Sequence, residues 1–213
     1  MTKRLQELFG LIDPCAVFAD IGCDHGYITQ AVISSRLAKR AYATDVSMPS
    51  LNKAKELLSL ELDKVSFYHT DGFNNLPQDI DTALIAGMGG EEICNILNNA
   101  NVLPKTLILQ PMKNADKVRR LVIGLGYYIE KDYMFFAENK FYEVIKCVNN
   151  GLISPYLEDD YTFGRDNLIT KNEAFKLYIT RRIEMLKGVI DNLSEDKKKE
   201  IKLEIEKLQG LIC

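Results

Sequence analysis

No apolar run in the 213 residues approaches the length needed to cross a bilayer. The opening Met1-Thr-Lys-Arg-Leu lacks the apolar core of a signal peptide, which predicts a cytoplasmic protein. Five cysteines, Cys15, Cys23, Cys94, Cys147 and Cys213, are odd in number and never spaced C-x-x-C. That pattern offers neither a zinc site nor a disulfide framework and fits a reducing compartment, and no metal is expected. Internal repeats and low-complexity segments are missing too. A strongly basic balance is also lacking: the net charge is −3. It is uneven, because residues 165–213 hold 11 Lys and Arg against 9 Asp and Glu, whereas residues 1–164 hold 16 against 21. Binding to nucleic acid would therefore need a local patch.

What is present is an ordinary globular composition, 46% hydrophobic and 27% charged, long enough for one α/β domain and a small appendage. The most informative stretch is Val17-Phe-Ala-Asp-Ile-Gly-Cys-Asp-His-Gly26. A short apolar run ends at Asp20, and Gly22, Asp24 and Gly26 follow at alternate positions. This predicts a buried strand turning sharply into a helix from Tyr27. Such a turn cradles a cofactor where glycine lets the ligand approach the backbone. A pyrophosphate would be repelled by Asp20 and Asp24, and the dinucleotide spacing fails because Asp24 and Tyr27 stand where it requires glycine. S-adenosylmethionine, with a sulfonium and an ammonium, suits acidic surroundings. A purely structural turn is the alternative.

Strands are predicted at about 17–22, 40–45, 65–71, 82–86 and 106–110, with helices between them. A helix over 3–12 precedes the first strand, a helix is expected from Tyr27 to about Ala38, and Ser47 is expected to cap the next one. Two β-like runs, 127–137 and 141–149, form a hairpin around Glu138-Asn-Lys140. Alternation of strand and helix implies a doubly wound, mostly parallel α/β sheet. After Gly151 the chain changes: a polar, aromatic loop over 155–164, then a capping box Thr170-Lys-Asn-Glu173, a helix broken at Leu193-Ser194, and a last helix to about Leu208. These read as an α-hairpin, dividing the chain into residues 1–150 and 151–213.

Open α/β sheets bind ligands at the carboxyl ends of their strands. Those ends carry Asp20, Gly22, Cys23, Asp24 and His25 from the first strand. Asp45 from the second can take ribose hydroxyls. Asp71-Gly72 from the third can accept from an adenine amino group. The fourth ends in Ala86-Gly87-Met88-Gly89-Gly90, a backbone suited to lie under an amino-acid tail, and the fifth in Gln110-Pro111-Met112. Each has a plainer alternative: Cys23 as a small filler, Asp45 as a helix cap, Asp71-Gly72 as a turn.

The Asp-Ile-Gly-x-Asp-His turn, the Ala-Gly-Met-Gly-Gly segment, the Leu-Ile-Leu-Gln-Pro strand end and Lys140-Phe-Tyr-Glu-Val together resemble the bacterial tRNA methyltransferases acting on N1 of adenine 22. The resemblance spans nearly the whole chain. It implies a class I, Rossmann-like methyltransferase sheet with a C-terminal antiparallel hairpin and a small helical-hairpin, coiled-coil-like domain. It also implies S-adenosylmethionine as donor, held by Asp20, Gly22, Cys23, Asp45, Val46, Asp71, Gly72, Gly87, Met88 and Gly89, and tRNA as partner. Asp24 is the preferred active-site carboxylate; His25 orients it or touches phosphate, Tyr27 stacks on the base, and Gln110 and Pro111 frame the base pocket. Structural roles for His25, Tyr27, Gln110 and Pro111 remain open alternatives. After Gln-Pro the family more often carries asparagine, and Met112 removes that polar contact. Arg181, Arg182 and Lys187 in the tail are candidates for the tRNA backbone, with dimerisation or a solvated lid as other uses. A monomer or weak dimer is expected. Competing functions are methylation of another RNA or a small molecule, a nicotinamide oxidoreductase, and a silent RNA-binding module.

Overall fold

The computed structural model describes residues 1–152, 155–190 and 194–213. In chain order the elements are α1 (Lys3–Phe9), β1 (Cys15–Ile21), α2 (Tyr27–Ser34), β2 (Ala38–Asp45), α3 (Met48–Leu57), β3 (Val65–His69), β4 (Thr82–Met88) and α4 (Gly90–Asn98). They continue with β5 (Thr106–Pro111), α5 (Ala115–Gly124), β6 (Tyr128–Ala137), β7 (Lys140–Val148), α6 (Glu158–Phe163), α7 (Arg165–Thr170), α8 (Glu173–Val189) and α9 (Glu195–Ile212).

Side chains alternate across a strand, and β1 shows what that does here. Val17, Ala19 and Ile21 face one apolar cluster with Ile93 and Leu97 of α4 and Val118 and Val122 of α5. Phe18 faces the other, with Leu8 of α1, Val32 of α2 and Leu51 of α3. Both faces of the sheet are thus covered, as a parallel sheet requires. Phe18 is 0% exposed, and burying such a side chain contributes about 1.5–3 kcal/mol.

The seven strands lie in the order β3-β2-β1-β4-β5-β7-β6. Pairs among β1 to β5 are parallel, while β7 runs antiparallel to β5 and β6. The predicted α/β sheet with an antiparallel edge is therefore present. Glu138 and Asn139, both left-handed at φ 45° and 59°, form the two-residue hairpin loop. Strand order reverses between β1 and β4, which opens a crevice at their carboxyl ends.

Several expected boundaries shift. The first helix stops at Phe9, with Gly10 closing it rather than Ile12. α2 ends at Ser34, because Arg36 takes a left-handed φ of 61° and Ala38 already pairs with Cys15 in the sheet. The expected loop 155–164 contains α6, whose entry is fixed by the Leu157 N–H donating to Asp160 Oδ2 at 2.8 Å. The capping box at Thr170 does not form. Thr170 ends α7, Lys171 turns left-handed, and Asn172 caps α8 by accepting from the Phe175 N–H at 2.9 Å. Of the expected break at Leu193-Ser194, Leu193 lies outside the described residues and Ser194 is the N-cap of α9.

α8 and α9 run antiparallel, with Arg182 bonded to Glu204 and Lys171 to the backbone of Cys213. Phe175, Ile179 and Ile183 of α8, four residues apart, close on Ile205 and Leu208. A buried ionic cluster ties the start of this region to the sheet. Arg119 donates to both oxygens of Asp132 at 2.9 and 3.0 Å, to Glu143 at 2.5 Å and to the Tyr161 carbonyl at 3.0 Å. Burial raises the Asp132 carboxyl, and the guanidinium opposes that shift.

Candidate active site

The turn after β1 alternates ordinary and left-handed residues: Gly22 at φ 74°, Asp24 at 49° and Gly26 at 75°. The Gly22 and Cys23 N–H groups both donate to the Thr44 carbonyl, at 2.9 and 2.8 Å, which locks the turn against β2. The left-handed φ favours glycine at position 22, and a Cβ there would stand 2.2 Å from Met88 Cε, the flexible end of a side chain that would have to swing aside. The result is a cleft of about 490 Å³ over the ends of β1, β2 and β4, a size usual for small-ligand sites.

Its floor is acidic. Asp20 is buried and accepts from Thr29 Oγ1 at 2.7 Å. Burial pushes its carboxyl up to about 6, the bonds from Thr29 pull it partly back, and Asp45 and Asp24 push it further up. A group in this state gains from a cation nearby. Asp45 accepts from the Asp24 N–H at 2.9 Å and the Ser47 N–H at 2.7 Å. It orients the turn and the start of α3, while its carboxylate still lines the cleft. Ser47, not Asp45, caps α3.

Asp71, Gly72, Val46, Gly87 and Met88 also line the cleft. Gly89 instead caps the start of α4. Gly87 sits where the β4–β5 register slips, at φ 80°. Burial and the carboxylate of Asp20 raise the Cys23 thiol, which keeps it protonated and unreactive. His69 bonds the Val46 carbonyl at 2.9 Å and holds the end of β3 against β2. Among the described residues no group of three His, Cys, Asp or Glu could hold a metal.

The rim is different in character. Asp24 is 70% exposed and meets His25 Nδ1 at 2.8 Å. His25 stacks on Tyr27 with ring centroids 5.9 Å apart and 11° between planes, and its Nε2 lies 3.2 Å from Lys53 Nζ. Lys53 was not among the sequence candidates. Its ammonium can only donate, so Nε2 accepts from Lys53 and Nδ1 is the nitrogen that faces Asp24 as donor.

Gln110 and Pro111 are not part of the lining. Gln110 is 0% exposed. Its Oε1 accepts from Arg4 Nε at 2.7 Å, and its Nε2 faces the Pro111 carbonyl and Met112 Sδ. Sequence patterning missed the cleft's other wall, Thr2, Arg4, Leu5 and Leu8 of the α1 region. The available signal was Arg4 four residues before the core position Leu8, hence on one helical face with it.

In the tail, Arg181 stacks on Phe136 and Phe141 at 5.2 and 5.3 Å, and Arg182 bonds Glu204 at 2.6 Å. Lys187 lies in the last turn of α8.

A family profile described as a methyltransferase domain matches residues 1–145. The chain belongs to the methyltransferase-domain family. A Bacillus subtilis protein named tRNA (adenine(22)-N(1))-methyltransferase is 26% identical over 207 residues, covering 92% of this methyltransferase and 86% of the relative. The crystal structure of the B. subtilis m1A22 tRNA methyltransferase TrmK superposes with a TM-score of 0.84 at 25% identity, over 100% of this chain and 99% of that one. Mycoplasma capricolum TrmK with S-adenosylhomocysteine gives a TM-score of 0.88 at 23% identity, over 100% and 97%. The match spans the helical tail as well as the sheet.

Proposed function

We propose that this methyltransferase transfers a methyl group from S-adenosylmethionine to N1 of an adenine in tRNA, adenine 22 by likeness to the B. subtilis relative. The observation that carries it is the pairing of an acid-floored cleft with an exposed Asp24-His25-Tyr27 rim. A nucleoside bearing positive charge suits the floor, since buried Asp20 hydrogen-bonds only with Thr29 among the described residues. A nicotinamide dinucleotide would bring phosphates to the same carboxylates.

When bound, S-adenosylmethionine supplies an electrophilic methyl on sulfur. Asp45 and Asp71 hold the adenosyl group, Asp45 through the ribose hydroxyls. Gly87 and Met88 provide the backbone under the amino-acid end. Neutral adenine N1 has a free lone pair, so no proton must leave before attack. Asp24 accepts from the adenine amino group and stabilises the positive charge that develops on the ring. His25 fixes the Asp24 carboxylate, and Tyr27 offers a stacking surface at the rim. Alignment of the reacting atoms supplies much of the rate, on the order of 7–11 kcal/mol in favourable cases.

In this scheme residues 1–150 bind the donor, and residues 151–213 engage tRNA as a small helical domain. No described helix is long and apolar enough to cross a membrane, and cytoplasmic action as a monomer or weak dimer fits a tRNA substrate. The test is incubation with labelled S-adenosylmethionine and unmodified bulk tRNA, followed by nucleoside analysis. The expected product is 1-methyladenosine. A different methylated nucleoside, or none with donor bound, overturns the assignment.

A further inference from the structure

We propose that Arg4 is the carboxylate-binding residue of the donor site. Among the residues lining the cleft, Arg4 is the sole lysine or arginine. A donor with an amino-acid end brings an ammonium and a carboxylate together. The acidic floor answers the ammonium, and only Arg4 answers the carboxylate.

Its placement is built rather than incidental. Gln110, fully buried at the end of β5, accepts from Arg4 Nε and so fixes the guanidinium plane. The guanidinium carbon lies 5.6 Å from the centre of the Tyr142 ring. Nη2 comes so close to β4 that a Cβ on Gly87 would stand 2.8 Å from it. No carboxylate among the described residues forms an ion pair with it, and burial lowers its pKa from the ordinary arginine value. A half-buried guanidinium with one neutral hydrogen-bond partner has donors left for an anion, and the fork of Arg suits a carboxylate.

The backbone around it fits the same purpose. Gly87 lies in the segment assigned to the donor's amino-acid end, so the cation and that backbone converge. α1 carries Arg4 beside Leu5 and Leu8, whose side chains line the wall. A phosphate of the acceptor would approach from the open rim near Tyr27 and Lys53 instead.

This inference rests on the donor assignment, and the experiment separates the two. Binding of S-adenosylhomocysteine, which has the carboxylate, and of 5′-methylthioadenosine, which lacks the amino-acid end, is measured by calorimetry on wild type, Arg4→Gln and Arg4→Lys. Arg4→Gln should lose roughly ten- to hundredfold affinity for S-adenosylhomocysteine, the scale of a charge-assisted bond. It should bind 5′-methylthioadenosine as wild type does, which also certifies its fold. Arg4→Lys should recover part of the loss. Equal weakening of both ligands would make Arg4 a mere prop for α1 and overturn the proposal. Unchanged S-adenosylhomocysteine affinity with weaker tRNA binding would assign Arg4 to phosphate and overturn it too. Failure of wild type to bind either nucleoside would remove the donor assignment itself, and the carboxylate clamp with it.

Discussion

Replacing Asp20 by asparagine should stabilise the free protein at neutral pH while weakening the donor. The Asp20 carboxyl is raised from 3.8 to about 6 by burial. At about 1.4 kcal/mol per pH unit, that shift corresponds to roughly 3 kcal/mol. The folded chain keeps this proton through a window in which the unfolded chain has lost it. Stability therefore falls as pH rises from about 4 to about 6, and the cost is fully present above that. Asparagine keeps an oxygen for Thr29 Oγ1 and carries no charge to desolvate. Urea unfolding near neutral pH should show Asp20→Asn more stable by up to about 3 kcal/mol, and near pH 4 the two should converge. Binding reads the same group from the other side. A cationic donor needs the ionised carboxylate, about a tenth of which is present one unit below its pKa. Wild-type affinity should fall roughly tenfold between pH 7 and 5, and Asp20→Asn should bind weakly with a flatter profile. An Asp20→Asn protein no more stable than wild type at neutral pH, or one with the full wild-type slope, would refute the reasoning.

Asp24→Ala should reduce turnover by about 10²–10³, while donor affinity by calorimetry changes less than about twofold; equal losses would make Asp24 a donor residue. Arg119→Met strips the cationic partner from buried Asp132, leaving it the Tyr156 hydroxyl and the Arg165 N–H, and urea unfolding should show a loss of about 3–5 kcal/mol. Ending the chain after Asn167 should spare donor binding and sharply reduce tRNA methylation, because Asn167 and Asp166 still bond β6. Changing Arg181, Arg182 and Lys187 to alanine should weaken tRNA binding and flatten its salt dependence by about 0.7–0.9 for each phosphate left unneutralised; an unchanged slope would favour dimerisation for the tail.

Much of this architecture was legible because its signals are local. The apolar run ending at Asp20, followed by glycines at alternate positions, encodes a strand and a left-handed turn without reference to the rest of the chain. The hairpin at Glu138-Asn139 is equally local. Boundaries failed where a tertiary contact decided them. The helix expected to reach Ala38 stops early because Ala38 is claimed by its ladder with Cys15. Thr170 has the look of a cap, yet its hydroxyl bonds the Asp166 carbonyl at 2.6 Å inside α7, and Asn172 takes the role. Both residues suit a cap; the packing of α7 on β6 chooses between them.

The candidate site divides along the same line. Acids at strand ends are visible in sequence because strand direction alone brings them to one edge of the sheet. Arg4 is not, because its place depends on α1 folding back 106 positions to meet Gln110. That contact also changes what Gln110 does. Read from its strand, Gln110 is a polar group presented to a base; in the fold its carbonyl is taken by Arg4 and its amide faces Pro111 and Met112. If Arg4 holds the donor's carboxylate, Gln110 acts on the donor through Arg4 and not on the acceptor. Met112 then costs little in base recognition, since its sulfur lies 3.4 Å from the Gln110 amide and supports the residue that sets the arginine. The proposed contacts for the base are then Asp24 and Tyr27, which line the mouth of the donor's own cleft and so can bring an adenine up to the donor.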